Sequence, residues 1–149
     1  MRKVKCHALY ELIDVEGKSV LVMKPQTYMN LSGEAVRDMA QAYNVPPERI
    51  IVIFDDADIK EGGIRIKRNG SGGTHNGLKS VIYQLESDAF PRIKIGIGDK
   101  GDSDMADFVL SDMEGDVYKT ASETAPEAAV ALITLGIDEA MQRFNNKRN

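Results

Sequence analysis

The sequence is poor in the residues that build covalent and metal-held scaffolds. Its one cysteine, Cys6, allows no internal disulfide and fits a reducing compartment. With only two histidines, His7 and His75, a Cys/His zinc site has too few ligands, and no metal or cofactor is expected. No apolar run reaches the length of a membrane span, and Met1-Arg2-Lys3-Val4-Lys5 lacks the apolar stretch of a signal peptide. No membrane association and a cytoplasmic location are therefore the expectation. Proline and glycine are ordinary at 5 and 13 in 149 residues, which leaves collagen-like, low-complexity and disordered chains aside. There are no repeats and no linker-like stretch, so residues 1–149 read as one domain, long enough to bury about 68–70% of its unfolded surface.

A surplus of positive charge is also missing. The net charge is −4 and the pI about 5.2, without the basic footprint of a general nucleic-acid binder. The charge is uneven, however: residues 1–79 carry +2 and residues 80–149 carry −6. Residues 64–79 hold Arg65, Lys67, Arg68 and Lys79 with no acid, whereas residues 99–116 hold seven acids against Lys100 alone. The basic stretch is the place for an anion. Asp99, Asp102, Asp104 and Asp107 miss the spacing of a calcium loop and read as a solvated acidic loop.

Hydrophobic periodicity supplies the elements. Residues 5–15 and 19–23 read as strands joined at Glu16-Gly17-Lys18. Ser32 offers an N-cap to a helix with Val36, Met39, Ala40 and Tyr43 on one face, stopped by Pro46-Pro47. Ile50-Ile51-Val52-Ile53-Phe54 is an unbroken apolar run, the pattern of a strand buried on both faces. Residues 64–67 alternate as a half-exposed strand, and residues 92–98 alternate as another. Between them a glycine-rich loop, residues 69–77, enters a helix with Leu78, Val81, Ile82 and Leu85 on its apolar face. A short apolar piece, Phe108-Val109-Leu110, falls within the acidic stretch. In the tail, Val117, Ala121, Ala125, Ala128, Leu132 and Leu135 form a helical stripe, which Pro126 kinks or restarts. Gly136 interrupts the tail before a last turn through Ile137, Ala140, Met141 and Phe144. The expected fold is α/β, a three-layer sandwich with a mixed β-sheet flanked by helices.

Three polar clusters fall at strand ends or helix starts, where open α/β sheets gather ligands. They are Lys24-Pro25-Gln26-Thr27-Tyr28-Met29-Asn30-Leu31-Ser32-Gly33, then Asp55-Asp56-Ala57-Asp58, then Gly70-Ser71-Gly72-Gly73-Thr74-His75-Asn76-Gly77. Singly, each has a plain structural explanation: Asn30 or Ser32 caps a helix, Asp55 closes a turn, His75 packs at a helix start, and the glycines serve positive φ. His7 reads as solvent-facing on its strand.

Taken together, the clusters resemble the bacterial peptidyl-tRNA hydrolases. That family carries K-P-x-T-Y/F-M-N-x-S-G, then D-D-x-D, then G-S-x-G-x-H-N-G-L/I/M-K/R-S, and Arg92-Ile93-Lys94-Ile95-Gly96-Ile97-Gly98 is similar to its R-x-R/K-I/V-G-I-G strand. The resemblance spans residues 5–144. It implies metal-free hydrolysis of the ester between a peptide and the 3′ end of tRNA, with peptidyl-tRNA as partner, in translation and ribosome rescue. It assigns Asp55 as the acid orienting a histidine base, and Asn30 and Asn76 as amide-bearing catalytic residues. Tyr28, Met29, Gly73 and His75 would bind substrate, and Lys67 and Lys94, with Arg65 and Arg92 beside them, would bind tRNA phosphate.

The resemblance carries two departures. The family opens with a G-L-G-N-P-G strand and an R-H-N segment that supplies the base, and neither is found here. The first strand and helix are therefore expected to be missing, with the exposed sheet edge covered by a second copy or another partner. Neither His7 nor His75 takes the place of the base, and loss of a general base costs about 10²–10⁴-fold in rate. An impaired hydrolase and a catalytically silent tRNA- or protein-binding relative both stand as expectations. The acids at residues 99–107 replace residues often basic in the family, and Thr74 replaces a common glycine. A magnesium cluster of Asp55, Asp56 and Asp58 is a third reading.

Overall fold

A computed structural model of the chain describes residues 3–26, 31–73, 75–98 and 115–145. The first motif's Thr27-Tyr28-Met29-Asn30, the acidic stretch at residues 99–114 with its apolar piece, and Thr74 lie outside the described residues. The chain divides into two compact units, residues 1–50 with 69–90 and residues 51–68 with 91–149.

The first unit opens with three antiparallel strands, β1 (Lys3–Lys5), β2 (Ala8–Val15) and β3 (Lys18–Pro25), in the order β1-β2-β3. The single strand expected over residues 5–15 is thus two strands. Cys6 and His7 turn the chain between them at φ 52° and 61°. The dipeptide announces a turn only weakly: it holds no Gly, Asn or Asp, although His enters the left-handed region more readily than most residues. The second turn is the expected one, with Gly17 at φ 85° and its N–H donating to Asp14 Oδ1 at 2.7 Å.

Helix α1 (Ser32–Tyr43) ends where Asn44 enters the left-handed region. Leu31, not Ser32, stands at its N-cap, and no side chain caps it. Helix α2 (Asn76–Leu85) packs against α1. The contact is close at Gly33, whose N–H donates to Ser80 Oγ at 2.8 Å. A Cβ at Gly33 would collide with the Ser80 carbonyl oxygen, which is backbone and cannot swing aside.

The second unit holds the mixed sheet, formed by β4 (Val52–Asp56), β5 (Ile64–Lys67) and β6 (Arg92–Gly96) in the order β4-β6-β5. Strand β6 runs parallel to β4 and antiparallel to β5. The fold is α/β with a mixed sheet and helices, as expected, although the strands divide between two three-stranded sheets. The most buried strand differs from the sequence reading. Central β6 is enclosed, with Ile93 fully buried, whereas among the described residues β4 pairs on one side only and leaves Ile53 46% exposed. The β-branched run thus marks an edge strand of this sheet.

The tail forms α3 (Gly115–Lys119), a π-helical turn over Thr120–Thr124, α4 (Ala125–Leu135) and α5 (Ile137–Asn145). Pro126 sits in the first turn of α4, directly after the π-helical turn, where its missing N–H leaves the regular helical ladder interrupted, and Gly136 at φ 91° separates α4 from α5. Ala125, Ala128 and Leu132 of the stripe are buried against Ile64, Ile66, Ile93 and Ile95, with Phe144 from α5. Leu135, beside the helix end, is exposed. Asn145 closes the outer edge of β5: its side chain accepts from the Ile66 N–H at 2.7 Å and donates to the Ile66 carbonyl at 2.9 Å.

Two stability predictions follow from these contacts. Gly33→Ala gains helix propensity worth about 1 kcal/mol but overpacks a backbone contact, for a net loss of about 1–3 kcal/mol in chemical denaturation. Asn145→Ala leaves a strand N–H and carbonyl without their partner and costs about 1–3 kcal/mol by the same measurement.

Candidate active site

The glycine-rich segment reaches α2 through a left-handed residue, Gly73 at φ 56°. Gly72 lies flat on the next helical turn: a Cβ there would stand 2.6 Å from Lys79 Cγ and 2.9 Å from the Lys79 N. His75 is the N-cap, its Nδ1 accepting the Leu78 N–H at 3.1 Å, and its own N–H donates to the Gly72 carbonyl at 3.0 Å. An Nδ1 that accepts carries no proton, so the neutral ring bears its proton on Nε2. His75 is therefore oriented as a donor at Nε2, and the hydrogen bond that fixes the ring also satisfies an N–H of the first helical turn.

Asn76, exposed, is the first residue of α2. Ser80 lies four residues further on and so shares its helix face. Because Ser80 receives the Gly33 N–H, the end of the first motif is fixed to the face of α2 that bears Asn76. The structure thus brings the first and third motifs together within one unit, through Gly33 and Ser80. Asn30, Met29 and Tyr28 themselves lie outside the described residues.

In the second unit, strand register sorts the remaining candidates onto two faces. Arg65 stands opposite Lys94, and Lys67 opposite Arg92, so all four basic residues start on one face of the mixed sheet. Their accessibility differs. Arg65 and Lys67 are exposed and Lys94 is half-buried, whereas Arg92 is 1% exposed and engaged by other groups. A buried guanidinium cannot reach a phosphate in solution, which corrects the placing of Arg92 among the phosphate contacts. Arg68, in the same basic stretch, pairs with Asp138 of α5.

Asp55 is half-buried at the end of β4 in register with Ile95, and alternation turns it to the face opposite Lys94. Asp56 points the other way. Its Oδ2 lies 3.4 Å from Lys94 Nζ and its Oδ1 accepts the Asp58 N–H at 2.8 Å. Among the described residues no group of three His, Cys, Asp or Glu side chains is placed to hold a metal, so the magnesium reading has no cluster behind it. The loop after β4 is held against the end of β6. Gly98 N–H donates to the Ile59 carbonyl at 2.9 Å, and a Cβ at Gly96 would strike the Lys60 carbonyl.

Sequence reasoning missed three residues that organise these clusters. Ser80 is a bare pattern position of the third motif, and Asp56 enters the sequence reading as a position of the second motif and as a candidate magnesium ligand. Asn145 carried no sequence signal, being 79 residues from its partner Ile66. His7 is exposed as expected, but in a turn and not on a strand. No helix among the described residues is long and apolar enough to cross a membrane.

Comparison with known proteins agrees with the motif reading. The family profile described as peptidyl-tRNA hydrolase matches residues 1–149. A peptidyl-tRNA hydrolase of Alkaliphilus metalliredigens is 47% identical over 148 residues, covering 97% of this chain and 80% of that protein. One from Caldanaerobacter subterraneus is 49% identical over 133 residues, covering 87% of this chain and 72% of its own. The crystal structure of peptidyl-tRNA hydrolase from Acinetobacter baumannii superposes with a TM-score of 0.81 at 30% identity, over 94% of this chain and 73% of that one. Since the family match takes in the whole chain, the expectations of a missing first strand and helix and of an inactive protein find no support. The chain belongs to the peptidyl-tRNA hydrolase family.

Proposed function

We propose that this chain hydrolyses the ester joining a peptidyl group to the 3′ end of tRNA, and so returns stalled tRNA to translation in the cytoplasm. Water adds to the ester carbonyl, the acyl–oxygen bond breaks, and the tRNA hydroxyl leaves with a proton. The observation that carries the reading is the junction of Gly33 with Ser80, which joins the last residue of the first motif to the Asn76-bearing face of α2. The amides of Asn76, at a helix start, and of Asn30, by its motif position, suit an ester, whose carbonyl develops negative charge as water attacks.

Within this reading Asn76 donates to the substrate, and His75, held as the cap of α2, contacts it from the same helix start. Asp55 keeps the acid's place in the second motif. Tyr28, Met29 and Gly73 line the peptide's path. Arg65, Lys67 and Lys94 hold phosphate, a contact that supplies salt-dependent affinity without reading sequence.

Turnover of a peptidyl-tRNA by the purified chain, followed as released peptide, tests the proposal. Cleavage is expected and is expected to persist in EDTA. Asn76→Ala should lower kcat/KM about 10²-fold while the circular dichroism spectrum is retained. Binding of tRNA without cleavage would overturn hydrolysis and favour a silent tRNA-binding relative. Lys67→Glu should raise KM and flatten the dependence of log Kd on log salt by about two charges' worth of counterion release, since one cation is lost and one anion gained. An unchanged salt slope would remove Lys67 from the phosphate contacts.

A further inference from the structure

Lys94 does not stand alone on the basic face of the mixed sheet. Its register partner on β4 is Phe54, and Asp56 is paired with Gly96, which has no side chain to occupy the space beside Lys94. Lys94 Nζ lies 3.4 Å from Asp56 Oδ2 and 5.9 Å from the centre of the Phe54 ring. The two charged side chains are only 20% and 17% exposed. The carboxylate is itself held, since its other oxygen accepts the Asp58 N–H at 2.8 Å. Asp55, the adjacent acid, projects to the opposite face. The ammonium thus sits between an aromatic face and a fixed anion, directly across the strand from exposed Arg65.

We propose that Asp56 is the internal counter-ion of Lys94, and that by competing with tRNA phosphate for this ammonium it sets how tightly the sheet's basic face holds the RNA. This rests on the phosphate-binding role given to Lys94 above. Substrate and product carry the same RNA, so each phosphate contact strengthens the hold on both alike. Uniform binding of that kind lowers KM without raising kcat, and beyond some affinity it only retains the product. A carboxylate in ion-pair contact with one clamp residue limits that affinity while the cation stays in place. Loss of the carboxylate does not set Lys94 adrift, because Phe54 still offers a cation–π contact and β6 is the central strand. The change in charge therefore outweighs the change in order.

The test is Asp56→Asn, which keeps an oxygen for the Asp58 N–H and removes the charge, with Asp56→Ser as a second uncharged variant able to make a similar local turn. Both should bind deacylated tRNA about tenfold more tightly, the size expected for removing one partly screened charge a few ångströms from a phosphate. KM for peptidyl-tRNA should fall in proportion with no rise in kcat, and the salt dependence should steepen by about one counterion. Unchanged or weaker tRNA binding in both variants would overturn the proposal. Lys94→Gln separates the two readings. If it weakens binding while the Asp56 variants fail to tighten it, only the counter-ion role falls. If Lys94→Gln leaves binding unaltered, the phosphate role of Lys94 falls, and the counter-ion role with it.

Discussion

The first unit depends on a place where two helices meet backbone to side chain with no room for a methyl group. Gly33 donates its N–H to Ser80 Oγ, and any Cβ there would meet the Ser80 carbonyl. Helices separated by ordinary side chains lie 8–10 Å apart and tolerate small slides. An approach that only glycine permits tolerates far less. Since Ser80 is one turn below Asn76, the fit that seats α1 also fixes how the start of α2 is aimed. The other end of the arrangement is closed by His75, which satisfies the Leu78 N–H and returns its own N–H to Gly72. The glycine-rich loop is thereby determined from both sides, by close packing of Gly72 on Lys79 and by the cap.

In the second unit the same part is played by β6, the strand with neighbours on both sides. Its residues alternate between two environments that the register separates cleanly. Ile93 and Ile95 turn to the apolar helices α4 and α5, while Arg92 and Lys94 turn to the polar face. Charged groups beginning in the middle of a sheet lose hydration, so each needs a partner. Lys94 finds Asp56 and Phe54, and Arg92 is engaged where it is buried. Strand β5, lying at the sheet edge, would show its polar backbone to water at Ile66 but for the Asn145 amide, which pairs with it as a neighbouring strand would.

Much of this was legible in the sequence where the signal is local. The period of α1, α2 and the tail, the break at Gly136 and the β2–β3 turn at Gly17 all follow from residue type and spacing, and the three motifs carried the family. What was not legible depends on partners distant in the chain. Ser32 has the composition of an N-cap, but helix entry at Leu31 is governed by the demand of Ser80, 47 residues from Gly33. The β-branched run has the pattern of a strand buried on both faces, yet Ile53 is exposed, and among the described residues it is β6 that has neighbours on both sides. Arg92 and Lys94 have the same spacing and charge, but burial separates their uses. The turn at Cys6 and His7 is framed by the pairing of Lys5 with Ala8 on either side of it, which the local sequence does not announce.

The acidic balance of the chain takes on a different meaning beside this geometry. A protein that grips RNA by charge alone binds any polyanion, and its affinity collapses with salt. Here the net charge is −4, and the mixed sheet exposes Arg65 and Lys67 within an acidic molecule. On the basic face of the mixed sheet, where one cation is already paired with Asp56, few charges are left to hold an anion by number alone. Under the hydrolase reading this is what a substrate with one reactive terminus requires. The RNA has to be held by its end long enough for an ester to be cleaved, and then released although its phosphates are unchanged. A weak, local clamp in an acidic protein meets both demands, where a broad basic surface would meet only the first.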